Sequence, residues 1–157
     1  MRKSEREIRE LQDIFALIGR CQTVRMGLYD GEYPYVVPLS FGYEEKEDTL
    51  VVYFHCAREG KKIDLLARDA RVCLEWDVLH GYVETGHSVT ADYESVIAFG
   101  TAARCEGEER VHGIRLLLEH TGFAQYSAEA CAALPVVEVY RVVCERITGK
   151  RRFPKQA

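Results

Sequence analysis

The chain has 157 residues, of which 47% are apolar and 29% charged, and a formal net charge of −4. This composition excludes disordered, collagen-like and mucin-like chains, and the length predicts one domain over residues 1–157 that buries roughly 70% of its unfolded surface. The acidic balance argues against a protein that coats nucleic-acid phosphates, and no apolar run approaches the ~18 residues of a membrane-spanning helix, so neither nucleic acid nor membrane is an expected partner.

The N-terminal stretch MRKSEREIRELQ is charged throughout and carries no apolar run ending in small residues, so a secretory signal is not expected and a cytoplasmic location is. Ser4 and Glu7 have the spacing of a capping box, and Ile8, Leu11, Ile14, Phe15 and Ile18 recur at helical intervals. The pattern predicts a helix over 4–19, stopped at Gly19. Val24, Met26 and Leu28 then alternate with Thr23, Arg25 and Tyr29, which predicts a half-buried strand, and Asp30-Gly31 marks a hairpin turn. A single strand is expected over 33–43, a charged loop over 44–48 and a third strand over 49–56, forming an antiparallel meander. A short helix over 60–69 and a strand over 71–78 follow. Residues 79–92, with two histidines and two glycines, read as a loop. A long strand is expected over 93–105, a helix over 108–120, an irregular stretch over 121–135 and a last strand over 136–147, ending in a basic tail. The helices do not alternate with the strands, which disfavours a doubly wound parallel sheet and favours an antiparallel barrel with peripheral helices.

The most informative segment is YFHCAREGKKIDLL at 53–66. A helix begins there at Lys61-Lys62, and the first turn of a helix carries free N–H groups and the positive end of the macrodipole. Two ammonium groups at that end are electrostatically misplaced by a few tenths of a kcal/mol each, up to roughly 1. An anion such as a phosphate would reverse the sign, and Gly60 would let the backbone approach it. The residues alone fit equally well two solvated lysines near Glu59 and Asp64. In YPYVVPLSFGY, Pro34 and Pro38 lack ladder donors, which places the strand at a sheet edge. That edge is open either to a flat heterocycle or simply to solvent. The six cysteines are scattered with no CxxC pair and read as free thiols, and no His/Cys spacing fits a metal site.

Taken in order, PYVVPLSFGY, YFHCAREGKKIDLL and YESVIAFGTA resemble the FMN-binding split-barrel superfamily. The nearest branch is that of pyridoxamine 5′-phosphate oxidase-like proteins related to the nitroimidazole-resistance (Nim) reductases. The similarity spans about residues 10–150, and His55, Ala57, Gly60 and Lys62 carry its most specific part. The resemblance implies a mainly β fold: an FMN-binding split β-barrel of six or more antiparallel strands with an N-terminal helix. It implies FMN as cofactor and a homodimer with the cofactor at the subunit interface. It places main-chain groups of Val37, Pro38, Leu39 and Ser40 on the flavin ring, and His55, Cys56 and Ala57 against it. Lys61 and Lys62, after Gly60, hold the phosphate, and Ser95 reaches the cofactor from the later strand. His55, with an ordinary pKa near 6.5, is the candidate for proton transfer. The implied function is two-electron reduction of a nitroimidazole-like or other small organic acceptor. The alternative is a carrier or sensor that binds flavin or haem without turnover. Pyridoxamine 5′-phosphate oxidase proper has an arginine where this chain has Lys61 and an Arg/Trp-bearing C-terminal segment that ITGKRRFPKQA lacks, so vitamin B6 oxidation is not expected.

Overall fold

In a computed structural model, residues 3–153 are described. After a 3-10 turn at Ser4–Arg6, the elements run β1 (Glu7–Ile8), α1 (Leu11–Arg20), β2 (Val24–Tyr29), β3 (Pro34–Leu39), β4 (Gly42–Lys46) and β5 (Thr49–Ala57). Then come α2 (Lys61–Arg68), β6 (Arg71–Thr85), β7 (Ser88–Arg104), α3 (Gly107–His120) and β8 (Val137–Arg152). All strand pairings are antiparallel, in the order β3-β2-β6-β7-β8-β5-β4, with β1 added on β8.

The fold is mainly β, as the sequence predicts, and the sheet is not closed. β3 and β4 are its two ends, yet only Ser40 and Phe41 separate them along the chain. Leu39 and Gly42 are therefore within about 11 Å of each other. The sheet must curl back on itself, and it stops short of a β3–β4 ladder. This is the split in the barrel. Alternate residues fill the interior: Met26 and Leu28, Val52 and Phe54, Leu74 and Trp76, Val96 and Ala98, and Val142, joined by Leu17 and Ile18 of α1. β5 is buried on both faces, because Val51 and Tyr53 point outward under Ile114 and Leu117 of α3. That explains its unbroken apolar run. α3 is also tied down by polar contacts: the Tyr53 hydroxyl donates to Glu44 (2.8 Å), and His112 Nε2 lies 3.0 Å from the other Glu44 oxygen.

Several expected boundaries move. The helix expected over 4–19 is replaced by the 3-10 turn, β1 and a shorter α1 that runs through Gly19 to Arg20. Ile8 gains more by packing on Gly149 of β8, where it is 3% exposed, than by extending a helix, and the Ser4–Glu7 capping box does not form. The single strand expected over 33–43 breaks at Ser40-Phe41, because its halves pair at opposite ends of the sheet. Residues 44–46 of the expected loop belong to β4, and the turn itself is Glu47-Asp48, both at positive φ. The continuous meander is therefore not realised. The expected loop at 79–92 is instead a long β6–β7 ribbon turning at Gly86-His87, with a bulge at Leu79/Gly81. The basic tail continues β8 as far as Arg152, which pairs with the buried Asp92. The last four residues of the tail lie outside the described residues.

Candidate functional site

β5 ends at Ala57, and Arg58, Glu59 and Gly60 turn the chain into α2. Gly60 makes this turn with φ +130, a conformation open to glycine, and a side chain there would meet nothing within 4 Å, so the space above it is free. The Gly60 carbonyl accepts from Ile63 N–H (2.8 Å) and Asp64 N–H (3.2 Å). No side chain caps the helix, which leaves the N–H groups of Lys61 and Lys62 without an acceptor among the described residues. A cavity of about 180 Å³ lies over this turn, lined by Tyr35, Cys56, Ala57, Gly60, Lys61 and Lys62. Five of the residues assigned from sequence therefore meet in one place.

The two lysines differ in a way the sequence did not reveal. Lys61 Nζ lies 2.5 Å from Asp30 Oδ2, in the β2–β3 turn, and 5.1 Å from the centre of the Tyr35 ring; Arg68 approaches the same Asp30 at 3.7 Å. Its partner is thus neither Glu59 nor Asp64. Lys62 has no carboxylate within 4 Å among the described residues and stands 5.8 Å from the Phe54 ring. Its ammonium is the uncompensated charge at the helix start.

Because side chains alternate along a strand, His55 and Cys56 point to opposite faces of β5. Cys56 packs toward the barrel interior, where burial pushes its thiol pKa up despite the nearby Lys62, so the thiol stays protonated and is a poor nucleophile. His55 faces outward into a second cavity of about 290 Å³, shared with Ser40, α3 and the segment that follows α3. Crowding by those walls lowers its pKa below 6.5, and the Lys62 ammonium lowers it further. Both effects favour the neutral ring.

Val37, Pro38 and Leu39 lie on β3, the free end of the sheet, with no strand among the described residues on the side away from β2. Val37 and Leu39 turn toward the core and Pro38 outward, and none of the three lines either cavity. Ser95 is not brought to this site within one chain. It pairs with Asp77 and Lys150, eleven residues along β8 from Val139, the partner of His55. At about 3.3 Å per residue that is roughly 36 Å along the strand. Sequence reasoning missed Tyr35 and Asp30. Tyr35 shares a face with Val37 by its spacing of two and could have been found; Asp30 meets Lys61 only through the folding of the β2–β3 turn over α2.

The arrangement offers free N–H donors, an unpaired ammonium and an open approach beside two neutral, partly apolar walls. That donor set suits an anionic group at the start of α2. No helix among the described residues is long and apolar enough to cross a membrane, and no cluster of three His, Cys, Asp or Glu side chains there could hold a metal ion.

Residues 10–151 match the family model described as pyridoxamine 5′-phosphate oxidase. No curated protein sequence matches the chain. Among solved structures, a candidate 5-nitroimidazole antibiotic resistance protein from Bacteroides thetaiotaomicron is 32% identical, with a TM-score of 0.79 over 92% of this chain and 85% of that one. The FAD and heme binding protein from Mycobacterium smegmatis is 16% identical, with a TM-score of 0.81 over 97% of this chain and 77% of that one. The flavocytochrome Anf3 from Azotobacter vinelandii is also 16% identical, with a TM-score of 0.79 over 98% and 72%. These last two share the fold.

Proposed function

The chain belongs to the pyridoxamine 5′-phosphate oxidase family, on the branch related to the nitroimidazole-resistance proteins, and from that premise we propose that it is a cytoplasmic FMN-dependent oxidoreductase acting on small organic acceptors. The observation that carries this reading is the start of α2: two free N–H groups, the unpaired Lys62 ammonium and the open Gly60 turn around one cavity. A phosphate fits that donor set, and the phosphate of FMN is dianionic.

In this reading Lys62 and the amides of α2 hold the phosphate, with Lys61 assisting while it remains paired to Asp30. Val37, Pro38, Leu39 and Ser40 offer main-chain groups at the split of the barrel; His55 and Ala57 flank the ring, and Cys56 borders it through its main chain. When bound, the flavin would supply the two-electron redox chemistry. His55 is placed to relay a proton from solvent toward the acceptor through its ring nitrogens. The protonated Cys56 thiol serves as packing.

We further propose a homodimer with the cofactor at the interface. The outer sheet face exposes Ile97 and Phe99, with a cavity of about 810 Å³ lined by Tyr29, Cys73 and Phe99. Ser95 lies on this face, far from Lys62 of its own chain, and in the dimer it serves the partner's cofactor. The nitroimidazole-resistance relative supports a nitroaromatic acceptor. The flavocytochrome and the FAD and heme binding protein favour the alternative, a carrier or sensor of flavin or haem. The absorption spectrum of the purified protein, followed by oxidation of reduced nicotinamide with and without a nitroimidazole, separates them. Flavin bands with acceptor-dependent turnover support the reductase. Bound flavin without turnover favours the carrier, and a sharp Soret band favours haem.

A further inference from the structure

The flavin reading leaves one feature of its own site unused, the 290 Å³ cavity on the His55 side of β5. Its walls are Ile114, Leu117 and Leu118 of α3, with Phe123 and Ala133 of the segment beyond. Among the described residues no lysine, arginine, aspartate or glutamate lines it, whereas the neighbouring cavity over α2 carries Glu59, Lys61 and Lys62. Two faces of one strand end thus separate a charged compartment from an uncharged one. The Thr121 hydroxyl donates to the Leu117 carbonyl (2.7 Å) and is already engaged. Ser40 and His55 remain as the polar groups on the strand side.

The outer wall is preformed. The chain runs through 121–136 without a helix or strand, a length usually associated with function or disorder. Here it is pinned. Arg110 of α3 donates to the Val137 carbonyl (2.5 Å) and to that of Leu134, Arg115 pairs with Glu129 (2.6 Å), and Arg58, in the turn leading to α2, donates to the Pro135 carbonyl.

Resting on the flavin reading, we infer that this cavity is the acceptor subsite and that it selects small, planar, uncharged molecules over anionic ones of the same shape. Its volume of about 290 Å³ lies just below the range of roughly 300–1,000 Å³ found for small-molecule pockets, which suits a single substituted ring. An apolar ring fills the side made by α3, and a polar substituent turns toward Ser40 and His55, the residues that also border the proposed flavin ring. A carboxylate entering the same space loses its water and meets no cation. Lys62 does not rescue it, because in the loaded protein that charge is matched by the phosphate.

The test uses the oxidised, FMN-loaded protein and two nitroarenes of equal shape, para-nitrobenzamide and para-nitrobenzoate, titrated by calorimetry at neutral pH. The amide is expected to bind at least about tenfold more tightly than the carboxylate. Leu118→Trp and Ala133→Phe, which fill the cavity from opposite walls at partly exposed positions, are each expected to weaken the amide about tenfold while leaving FMN affinity within about twofold. Leu118→Arg is expected to shift the preference toward the carboxylate. Equal affinity for the two probes, or amide binding untouched by both filling variants, overturns the assignment. So does loss of FMN affinity in step with loss of amide affinity, since the cavity would then hold the cofactor. A chain that takes up no FMN is detected before any nitroarene is added and refutes the parent reading, and this inference falls with it.

Discussion

Replacing Lys62 with alanine tests the phosphate site at its most exposed assumption. Among the described residues Lys62 carries the uncompensated ammonium at the start of α2, next to two N–H groups without acceptors. A hydrogen bond to a charged group is worth about 1.5–3 kcal/mol. At about 1.4 kcal/mol per factor of ten, Lys62→Ala should raise the FMN dissociation constant roughly 10- to 150-fold. Lys61→Ala should do much less, below about fivefold, because that ammonium is 54% exposed and already 2.5 Å from Asp30. Lys62→Arg should keep most of the affinity, because the charge survives. Quenching of flavin fluorescence on titration into the colourless apoprotein gives each constant. Repeating it at raised ionic strength should weaken the wild type more than Lys62→Ala. An unchanged constant for Lys62→Ala, or a larger loss for Lys61→Ala, would refute the electrostatic reasoning.

Four further outcomes follow from the structure. His55 should titrate below 6.5 in the flavin-free protein, and FMN binding should raise its pKa by neutralising Lys62; the ring-proton shift in NMR titrations reports both. The same shift gives a sign for stability: below about 6.5 the unfolded chain binds a proton at His55 that the folded chain refuses, so stability should decline as pH falls through that window. Chemical denaturation of wild type and His55→Gln across the window checks this, and the variant should lose part of the slope. Glu94 is 7% exposed and accepts from Arg20 while lying 3.0 Å from His80 Nε2. Glu94→Ala should destabilise by about 1–3 kcal/mol, discounted for the half-exposed Arg20, and a urea midpoint unchanged from wild type would contradict the pairing. At Gly42 an added methyl group would lie 2.5 Å from the Leu117 nitrogen and 2.8 Å from Leu116 Cβ, so Gly42→Ala must push α3 off the sheet. A loss of about 1–3 kcal/mol in thermal unfolding is expected, and a neutral substitution would show that α3 is not seated there.

The readable and unreadable parts of the chain differ in the range of the forces involved. Alternation at Val24, Met26 and Leu28 predicted β2, and the apolar run of β5 and the helical spacing at 108–120 were equally legible, because a single face decides each. The polar ribbon at 79–92 reads locally as a loop, because its strands bury little and exist by satisfying each other's backbone groups. The helix expected from Ser4 failed because Ile8 had a better partner in Gly149, almost at the other end of the chain. At the site, Gly60, Lys61 and Lys62 were legible as a helix start that favours an anion. Nothing local indicated that Asp30 would claim Lys61.

The sequence by itself determined the class of fold, the family and the cluster at the start of α2, since these depend on short-range patterns of polarity and on residues adjacent along the chain. Only the tertiary structure decided that β3 and β4 end the sheet on either side of a split, that Lys62 rather than Lys61 is the free cation, and that His55 opens onto an uncharged cavity beneath α3. Each of these depends on which surfaces meet after the barrel curls. Burial and long-range pairing set those meetings, and the order of residues along a strand does not record them.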